Sequence, residues 1–477
     1  MFQVVRSSST PLGDQLVAQV TRLIESGRLP EGSRLPSVRQ LARRAGVSVY
    51  TVTQAFERLG AKGLVQARAG SGYFVAAARR LPVPASVEFD APRSVDPVLG
   101  FARGTLEQDH VVVPAGSGFL PRPWLAEAIP PSLLSKLSRL GSPTERAPVQ
   151  GDPALRALLA ERLRLAGVPV APGNLLLTFG ASHAFDLIAR TLLSPGDAVL
   201  VDDPGYFVLH TMLRARGVRL IPVPRRADGS DLEALEAAAR LHGPRLFFTQ
   251  TLLHNPTGTS ASAANCHGVL RVAERYDFLV AEDHIFSDLA GSQAVSLAQI
   301  DEIRRVIYVG SFTKLLGPGL RTGFIAARTD LIAPLIETKI INVLTGSSLC
   351  EAVLREVLAS GKYRRHVERI GDRIAKARAA SAFRLGEAGL RLECPTGQGL
   401  FLWASVPAGV DPDRLMQDAQ AAGIMLAKGA LFSPSGHGSN CFRFNVAYGG
   451  DPMLIRFLGE RLAAATAQSS RPSARST

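Results

Sequence analysis

Cysteine is scarce in this chain, and its placement excludes two classes at once. The four residues, Cys266, Cys350, Cys394 and Cys441, lie far apart, with neither the close pairs of a zinc site nor the density of a disulfide framework. They read as buried or incidental thiols in a reducing compartment. Long apolar runs are missing too: none approaches the roughly 20 residues that span a bilayer. The first residues lack the ordered regions of a secretory signal, so the expected location is the cytoplasm. Acid is short in one place. Residues 1–80 hold 12 Lys+Arg (all arginine except Lys62) against 4 Asp+Glu, so +8 of the formal +13 falls in the first sixth of the chain. A basic N-terminal segment ahead of a more nearly balanced remainder points to a polyanionic partner.

What is present suffices for two or three domains: 477 residues, 46% hydrophobic and 20% charged, is a globular composition too long for one core. Leu12, Leu16, Val20, Leu23 and Ile24 form one stripe and predict a helix over Leu12–Ser26, stopped by Gly27. Ser37 can cap a second helix that runs to about Ala45, and Gly46 forces a tight turn. Ser48 can cap a third helix with apolar Val52, Ala55, Phe56 and Leu59. Two short helices around a glycine turn make a helix-turn-helix, whose second helix can enter a major groove. Leu64–Val75, with Gly70 and Gly72 between apolar flanks, reads as a β-hairpin wing.

On SGRLPEGSRLPS, an R-x-LA stretch, VS-x-x-TV, RL-x-x-x-GL and GSGYFV, residues 10–76 resemble the GntR-type winged helix. The resemblance implies double-stranded DNA as partner, with Arg39, Ser48 and Thr51 approaching it and Gly70 and Gly72 at the wing tip. Where the family often carries arginine, this chain has Val49, and Thr53 replaces a frequent later basic residue. Bidentate guanine readout is lost at Val49. Val49 and Tyr50 suit a thymine methyl or the sugar–phosphate instead. The winged-helix domain is placed at residues 1–78, a proline-bearing connector without sustained periodicity at 79–112, a large domain at 113–468 and a disordered tail at 469–477.

From about residue 175 to 330, short apolar runs alternate with helical patterns: NLLLTFG, AVLVDDP, RLIPVP, RLFFTQ, FLVAED and VIYVGSF. This predicts an α/β domain with a mostly parallel, doubly wound sheet. Ligands of such sheets bind beyond the strands' carboxyl ends, so functional residues should follow each run. After the first run, Gly180-Ala181-Ser182-His183 opens a helix and offers a phosphate seat. Tyr206 offers an aromatic face, or is a packed ring beside a proline turn. Asn255 in NPTG can donate to a ring oxygen, or is an ordinary turn. Glu282 and Asp283 end a buried strand, where a carboxylate needs a cation: a protonated pyridine nitrogen, or an arginine. Ser311, Lys314 and Arg321 close the series in SFTKLLGPGLR, with a desolvated lysine able to form a Schiff base and two groups suited to phosphate.

This conjunction, with GDPALRALLAERL, GKYRRHVERI and GALFSPSG around it, resembles fold-type I pyridoxal-phosphate proteins of the class I aminotransferase kind over residues 113–468. The resemblance implies pyridoxal 5'-phosphate as cofactor and a smaller α/β subdomain beside the large sheet. It implies Lys314 as the Schiff-base lysine, Asp283 at the pyridine nitrogen, Asn255 at the ring oxygen and Tyr206 stacked on the ring. Ala181, Ser182, Ser311 and Arg321 would hold the phosphate, and Arg443 in CFRFNVAY would clamp an effector carboxylate. No metal is implied. Three positions depart from the family pattern. Phe286 stands where a tyrosine commonly donates to the ring oxygen. Glu145-Arg146-Ala147-Pro148 stands where a tyrosine often reaches the neighbouring subunit's phosphate, with Arg146 as the available cation, and Lys428-Gly429 replaces a frequent Pro-Gly.

The whole chain resembles the MocR-like regulators, a GntR-type winged helix fused to an aminotransferase-like domain. This implies a head-to-tail homodimer and a transcriptional regulator that senses an amino compound, or pyridoxal phosphate itself, by aldimine exchange at Lys314. A working aminotransferase with an accessory DNA-binding domain is the alternative, since both readings need the same cofactor residues.

Overall fold

The computed structural model describes residues 4, 10–68, 70–76, 96–107, 111–130, 132–133, 137, 146–291 and 294–469. Residues 79–95 and 108–110 of the expected connector, Glu145, and the tail from 470 to 477 lie outside the described residues. The chain divides into two compact units, Met1–Arg93 and Ser94–Thr477.

In the first unit, α1 (Leu12–Glu25), α2 (Val38–Ala45) and α3 (Val49–Ala61) enclose a small core. Leu16, Val20, Val52, Phe56 and Leu59, which the helical stripes mark, meet there with Leu41. The helix starts are set locally. Ser37 and Gln40 form a reciprocal capping box on α2, Gly46 ends it with φ +65°, and Ser48 accepts the Thr51 N–H at 3.0 Å to start α3. The wing is β1 (Val65–Arg68) paired antiparallel with β2 (Gly72–Val75), with Gly70 and Gly72 both at positive φ in the turn.

The second unit is built on an eight-stranded sheet of order β3-β10-β9-β8-β7-β4-β5-β6. Its strands are β3 (Leu175–Thr178), β4 (Ala198–Asp203), β5 (Arg219–Arg226), β6 (Gly229–Ser230), β7 (Leu246–Thr249), β8 (Leu279–Asp283), β9 (Val306–Ser311) and β10 (Gly323–Ala326). All six predicted runs are strands. β4, β5, β7, β8 and β9 are parallel, while β10 runs antiparallel between β3 and β9. Both faces of β3, β4, β7 and β9 are buried, so these strands read as continuous apolar runs, whereas β5 is only partly buried. In β4, Val199 and Val201 pack with Ile188, Leu213 and Ile307 on one face, and Leu200 packs with Phe247 and Val280 on the other. The crossovers leave β4 toward β5 on one side and continue from β7 through β8 and β9 on the other. The crevice between β4 and β7 is therefore the switch point where such sheets bind ligands.

The smaller subdomain is an antiparallel sheet of order β11-β12-β14-β13, from β11 (Arg391–Leu392), β12 (Phe401–Ser405), β13 (Ala427–Lys428) and β14 (Cys441–Asn445). One expectation is corrected. The stretch read as an aperiodic connector carries helix α4 (Pro97–Glu107), which belongs to the second unit. Val98, Phe101 and Ala102 hold it against Phe207, Trp403 and Phe432. Its apolar residues are interrupted by Gly100 and Gly104, which hid the helical period.

Candidate functional site

Ala181, Ser182, Tyr206, Asn255, Asp283, Ser311, Lys314, Arg321 and Arg443 all line one cavity of about 450 Å³ beyond the carboxyl ends of the large sheet's parallel strands. They come from five strand ends and, for Arg443, from β14 of the small subdomain.

One end of the cavity is built for an anion. Gly180, at φ +78°, turns the chain from β3 into the helix Gly180–Leu192, whose first N–H groups are left without intrahelical partners. A Cβ at Gly180 would lie 3.2 Å from Thr313 Oγ1 and 3.7 Å from the Arg321 guanidinium carbon, so the helix start, Thr313 and Arg321 converge. Arg321 is exposed, sits in the left-handed region at φ +43° and donates to the Phe179 carbonyl at 3.0 Å. Ser311 Oγ accepts the Thr313 N–H at 3.3 Å, while the buried Thr313 hydroxyl has no partner among the described residues. His183, in the same turn, accepts the Phe179 N–H on Nδ1 at 3.1 Å. Burial, then the nearby Lys339 charge, pushes it down to about 4, so it stays neutral beside this seat.

The two acids ending β8 have opposite environments. Glu282 is fully committed: it accepts the Thr251 hydroxyl and the Leu297 and Ala298 N–H groups, and lies 2.8 Å from His284. Asp283 accepts the Ile285 N–H at 3.0 Å and has no ion-pair partner among the described residues. Burial pushes it up to about 6. A buried carboxylate that faces the cavity and is ion-paired to none of the cations lining it calls for one from a ligand.

Lys314 donates to the Gly118 carbonyl at 3.0 Å, and its Nζ stands 3.9 Å from the centroid of the Phe119 ring. Burial, reinforced by the Arg443 charge, pushes it down to about 7, which leaves much of the amine unprotonated at neutral pH. Arg443 is only 2% exposed. It donates to Asn255 Oδ1 at 2.7 Å and to the Gly116 carbonyl at 2.6 Å, among the Phe207, Phe401 and Phe432 rings. Its Nε is buried without a partner among the described residues. Because Asn255 spends its carbonyl oxygen on Arg443, what it offers the cavity is a donor. Its own N–H is fixed on Gln250 Oε1 at 2.9 Å. Desolvation raises the Tyr206 phenol, with Ser182 beside its hydroxyl partly offsetting this.

The loop Gly116–Phe119 and the rings around Arg443 were not marked by the sequence. Gly-Ser-Gly after the apolar Val111–Val113 was the available signal: a Cβ at Gly116 would lie 2.5 Å from the Ala427 nitrogen, so the loop needs glycine to bring its carbonyls to the cations. Among the departures, Phe286 lines the cavity edge-on to Phe401 and brings no hydroxyl. Arg146 is exposed and does not line the cavity. Lys428 pairs with Asp413 at 2.6 Å.

On the winged helix, Arg39, Gly70 and Gly72 are exposed, and Tyr50 is 71% exposed with its hydroxyl accepting from Gln54 at 2.9 Å. Ser48 and Thr51 share a 2.8 Å hydroxyl contact that belongs to the helix cap. Their hydroxyls are partly committed before any DNA arrives.

The residues fit pyridoxal phosphate: an anion seat with a hydroxyl and a carboxylate that lack hydrogen-bond and ion-pair partners, respectively, among the described residues, an amide donor and a lysine partly unprotonated at neutral pH. Comparison with known proteins agrees. Residues 122–461 match the family described as aminotransferase class I and II, and residues 12–75 match bacterial regulatory proteins of the gntR family. The chain is 29% identical, over 91% of its length and 94% of the relative, to an uncharacterized HTH-type transcriptional regulator, YdcR, of Escherichia coli. It is 30% identical to a probable rhizopine catabolism regulatory protein, MocR, of Rhizobium meliloti, over 78% of this chain and 76% of that one. A solved structure of LysN, the α-aminoadipate aminotransferase of Thermus thermophilus, superposes with a TM-score of 0.69 at 26% identity, covering 79% of this chain and 97% of that one. The chain therefore belongs to the class I and II aminotransferase family, whose cofactor is pyridoxal 5'-phosphate, in the MocR-like branch that carries a GntR-type helix-turn-helix domain.

Proposed function

We propose that this protein is a DNA-binding transcriptional regulator whose aminotransferase-like domain senses an amino compound, or pyridoxal phosphate itself, at Lys314. The observation that carries the reading is the convergence of Lys314, Asp283 and Arg443 on one cavity, in a chain whose other unit is a basic winged helix. When bound, the cofactor supplies an aldehyde that captures amines and a ring that withdraws electrons. The chain's own residues divide the remaining work. The first turn of the helix Gly180–Leu192, with Ala181, Ser182, Ser311 and Arg321, holds the phosphate, and Thr313 offers its orphan hydroxyl there. Asp283 would face the ring nitrogen, Asn255 would donate to the ring oxygen and Tyr206 would cover a ring face. Lys314 presents a neutral amine near physiological pH, and Arg443 offers its buried guanidinium to a carboxylate. Sensing requires that the ligand bind two arrangements of the protein with different affinity.

The working partner is DNA, met by Arg39, Tyr50 and the wing at Gly70 and Gly72, with Ser48 and Thr51 at the start of the recognition helix. A homodimer is supported by an apolar surface on consecutive segments, where Ile341 is 88%, Leu344 68% and Leu349 50% exposed. Retained aminotransferase turnover is the second reading, favoured by the Lys314 amine being poised near 7, where it can move protons.

Gel-shift binding of the full chain to its own upstream DNA, with and without pyridoxal phosphate and candidate amines, tests the proposal. Specific binding that shifts with cofactor or amine is the expected result; specific binding indifferent to both overturns it. Steady turnover of an amino acid with a keto acid would establish the second reading.

A further inference from the structure

In the proposed sensing site, the head of an amino acid is accounted for by Lys314 and Arg443. The rest of the ligand must lie against another wall. Helix α4 supplies part of it: Ala102, Thr105 and Leu106 line the cavity. The helix is held there by Phe101, edge-on to Phe207 with centroids 5.6 Å apart. Thr105 turns its hydroxyl away from ligand duty, donating to the Phe101 carbonyl at 2.9 Å and lying 3.7 Å from the Met425 sulfur. The charged residues of α4, Arg103 and Glu107, pair with each other at 2.9 Å and do not line the cavity. Phe119, Phe207 and Val208 also line it. Among the described residues, the charged groups of the lining are Asp283, Lys314, Arg321 and Arg443. All four are assigned to the cofactor or to the ligand's head.

We infer that α4 reads the distal part of the effector and selects an amino acid with an uncharged, apolar side chain over one bearing a second charge. The inference rests on the proposed sensing function. Its physical basis is that an apolar wall rewards each buried methylene, whereas a second charge loses part of its hydration there and finds no free partner among the described lining residues. α4 is also the first described element of the second unit in chain order.

The test uses the full chain loaded with pyridoxal phosphate, titrated with alanine, norvaline, norleucine, glutamate and lysine, reading the cofactor's visible absorbance. Affinity should rise from alanine to norleucine by roughly fourfold per methylene. Glutamate and lysine should bind about tenfold or more weaker than norleucine. Ala102→Leu, which shortens the space at the wall, should weaken norleucine about tenfold and leave alanine within about twofold. Leu106→Lys should improve glutamate relative to norleucine by about tenfold. Both variants should melt in one cooperative transition and keep the wild-type cofactor spectrum, as folding controls, with Ala102→Leu melting somewhat lower because Ala102 also packs α4. The inference is overturned if glutamate or lysine binds as tightly as norleucine, or if both variants fold and leave the ranking unchanged. If no amino acid changes the wild-type absorbance, the sensing function itself fails and the role of α4 falls with it.

Discussion

Arg443→Met should separate ligand recognition from stability. Arg443 is a buried cation without a carboxylate partner among the described residues, and two of its donors serve Asn255 Oδ1 and the Gly116 carbonyl. Removing it leaves two acceptors unsatisfied, at about 1–3 kcal/mol each. Against this, it removes the desolvation cost of a buried charge, on the order of several kcal/mol. It also inserts a thioether among Phe207, Phe401 and Phe432, worth roughly 0.3–1.5 kcal/mol in sulfur–aromatic contact. The terms nearly cancel, so the cofactor-free protein should melt within a few degrees of wild type. Ligand binding has no such compensation. Losing the guanidinium partner of a buried carboxylate costs about 2–5 kcal/mol, or roughly 30-fold to several thousand-fold in affinity. The assay is thermal melting of the cofactor-free variant beside titration of the loaded variant with an amino acid and its decarboxylated amine. Wild type should prefer the acid, and the variant should not. An unchanged preference refutes the assignment of Arg443, and a melting temperature lowered by more than about 10 °C refutes the claim that its charge does not hold the fold together.

Other consequences can be read the same way. Because Lys314 is pushed down to about 7, covalent loading with pyridoxal phosphate should rise with pH and level off above 7, rather than climb toward the ordinary lysine range; stopped-flow absorbance measures this. The folded value lies below the unfolded one, so the cofactor-free protein should gain stability as pH rises from about 7 toward 10, and Lys314→Met should flatten that slope in denaturant midpoints. Gly180→Ala places a Cβ at φ +78° and 3.2 Å from Thr313 Oγ1, which should cost about 1–2 kcal/mol and weaken retention of the cofactor, as read by melting and by dialysis. Ser48→Ala removes the cap on the Thr51 N–H and should destabilise the winged helix by about 1 kcal/mol, whereas Tyr50→Ala should leave stability within about 0.5 kcal/mol and lower DNA affinity.

The parts of the fold legible in the sequence were those with a local cause. Ser37, Gly46 and Ser48 set helix ends through contacts three or four residues away, and six of the eight strands of the large sheet announced themselves as apolar runs, most of them buried on both faces. β10 was not read, since GFIA is too short to show a period and its place is decided by pairing with β3 and β9. α4 was mistaken for connector because its two glycines break the stripe, and its packing partners Phe207, Trp403 and Phe432 lie over a hundred residues away. At the site, each residue following a strand end could be named, yet the pattern of the residues left Glu282 and Asp283 equivalent and the family resemblance alone chose Asp283. The neighbours Thr251, Leu297 and Ala298 give the physical reason: Glu282 is consumed internally and Asp283 is the carboxylate left for a ligand.

By itself the sequence determined which groups this protein can bring to bear: a lysine, an acid, an amide and an arginine around the ends of buried strands, Arg443 through the family resemblance, and a basic helix-turn-helix ahead of them. Apart from Arg443, those follow from periodicity, turn chemistry and charge, which act over a few residues. The tertiary structure decided what the groups are free to do. It brought the Gly118 carbonyl and the Phe119 ring to Lys314, set Arg443 between Asn255 and Gly116, and turned a stretch read as connector into a cavity wall. Burial, hydrogen-bond partners and the charge state they impose are properties of neighbours distant in the chain. They exist only once the β4–β7 crevice and the small subdomain have closed around the same volume.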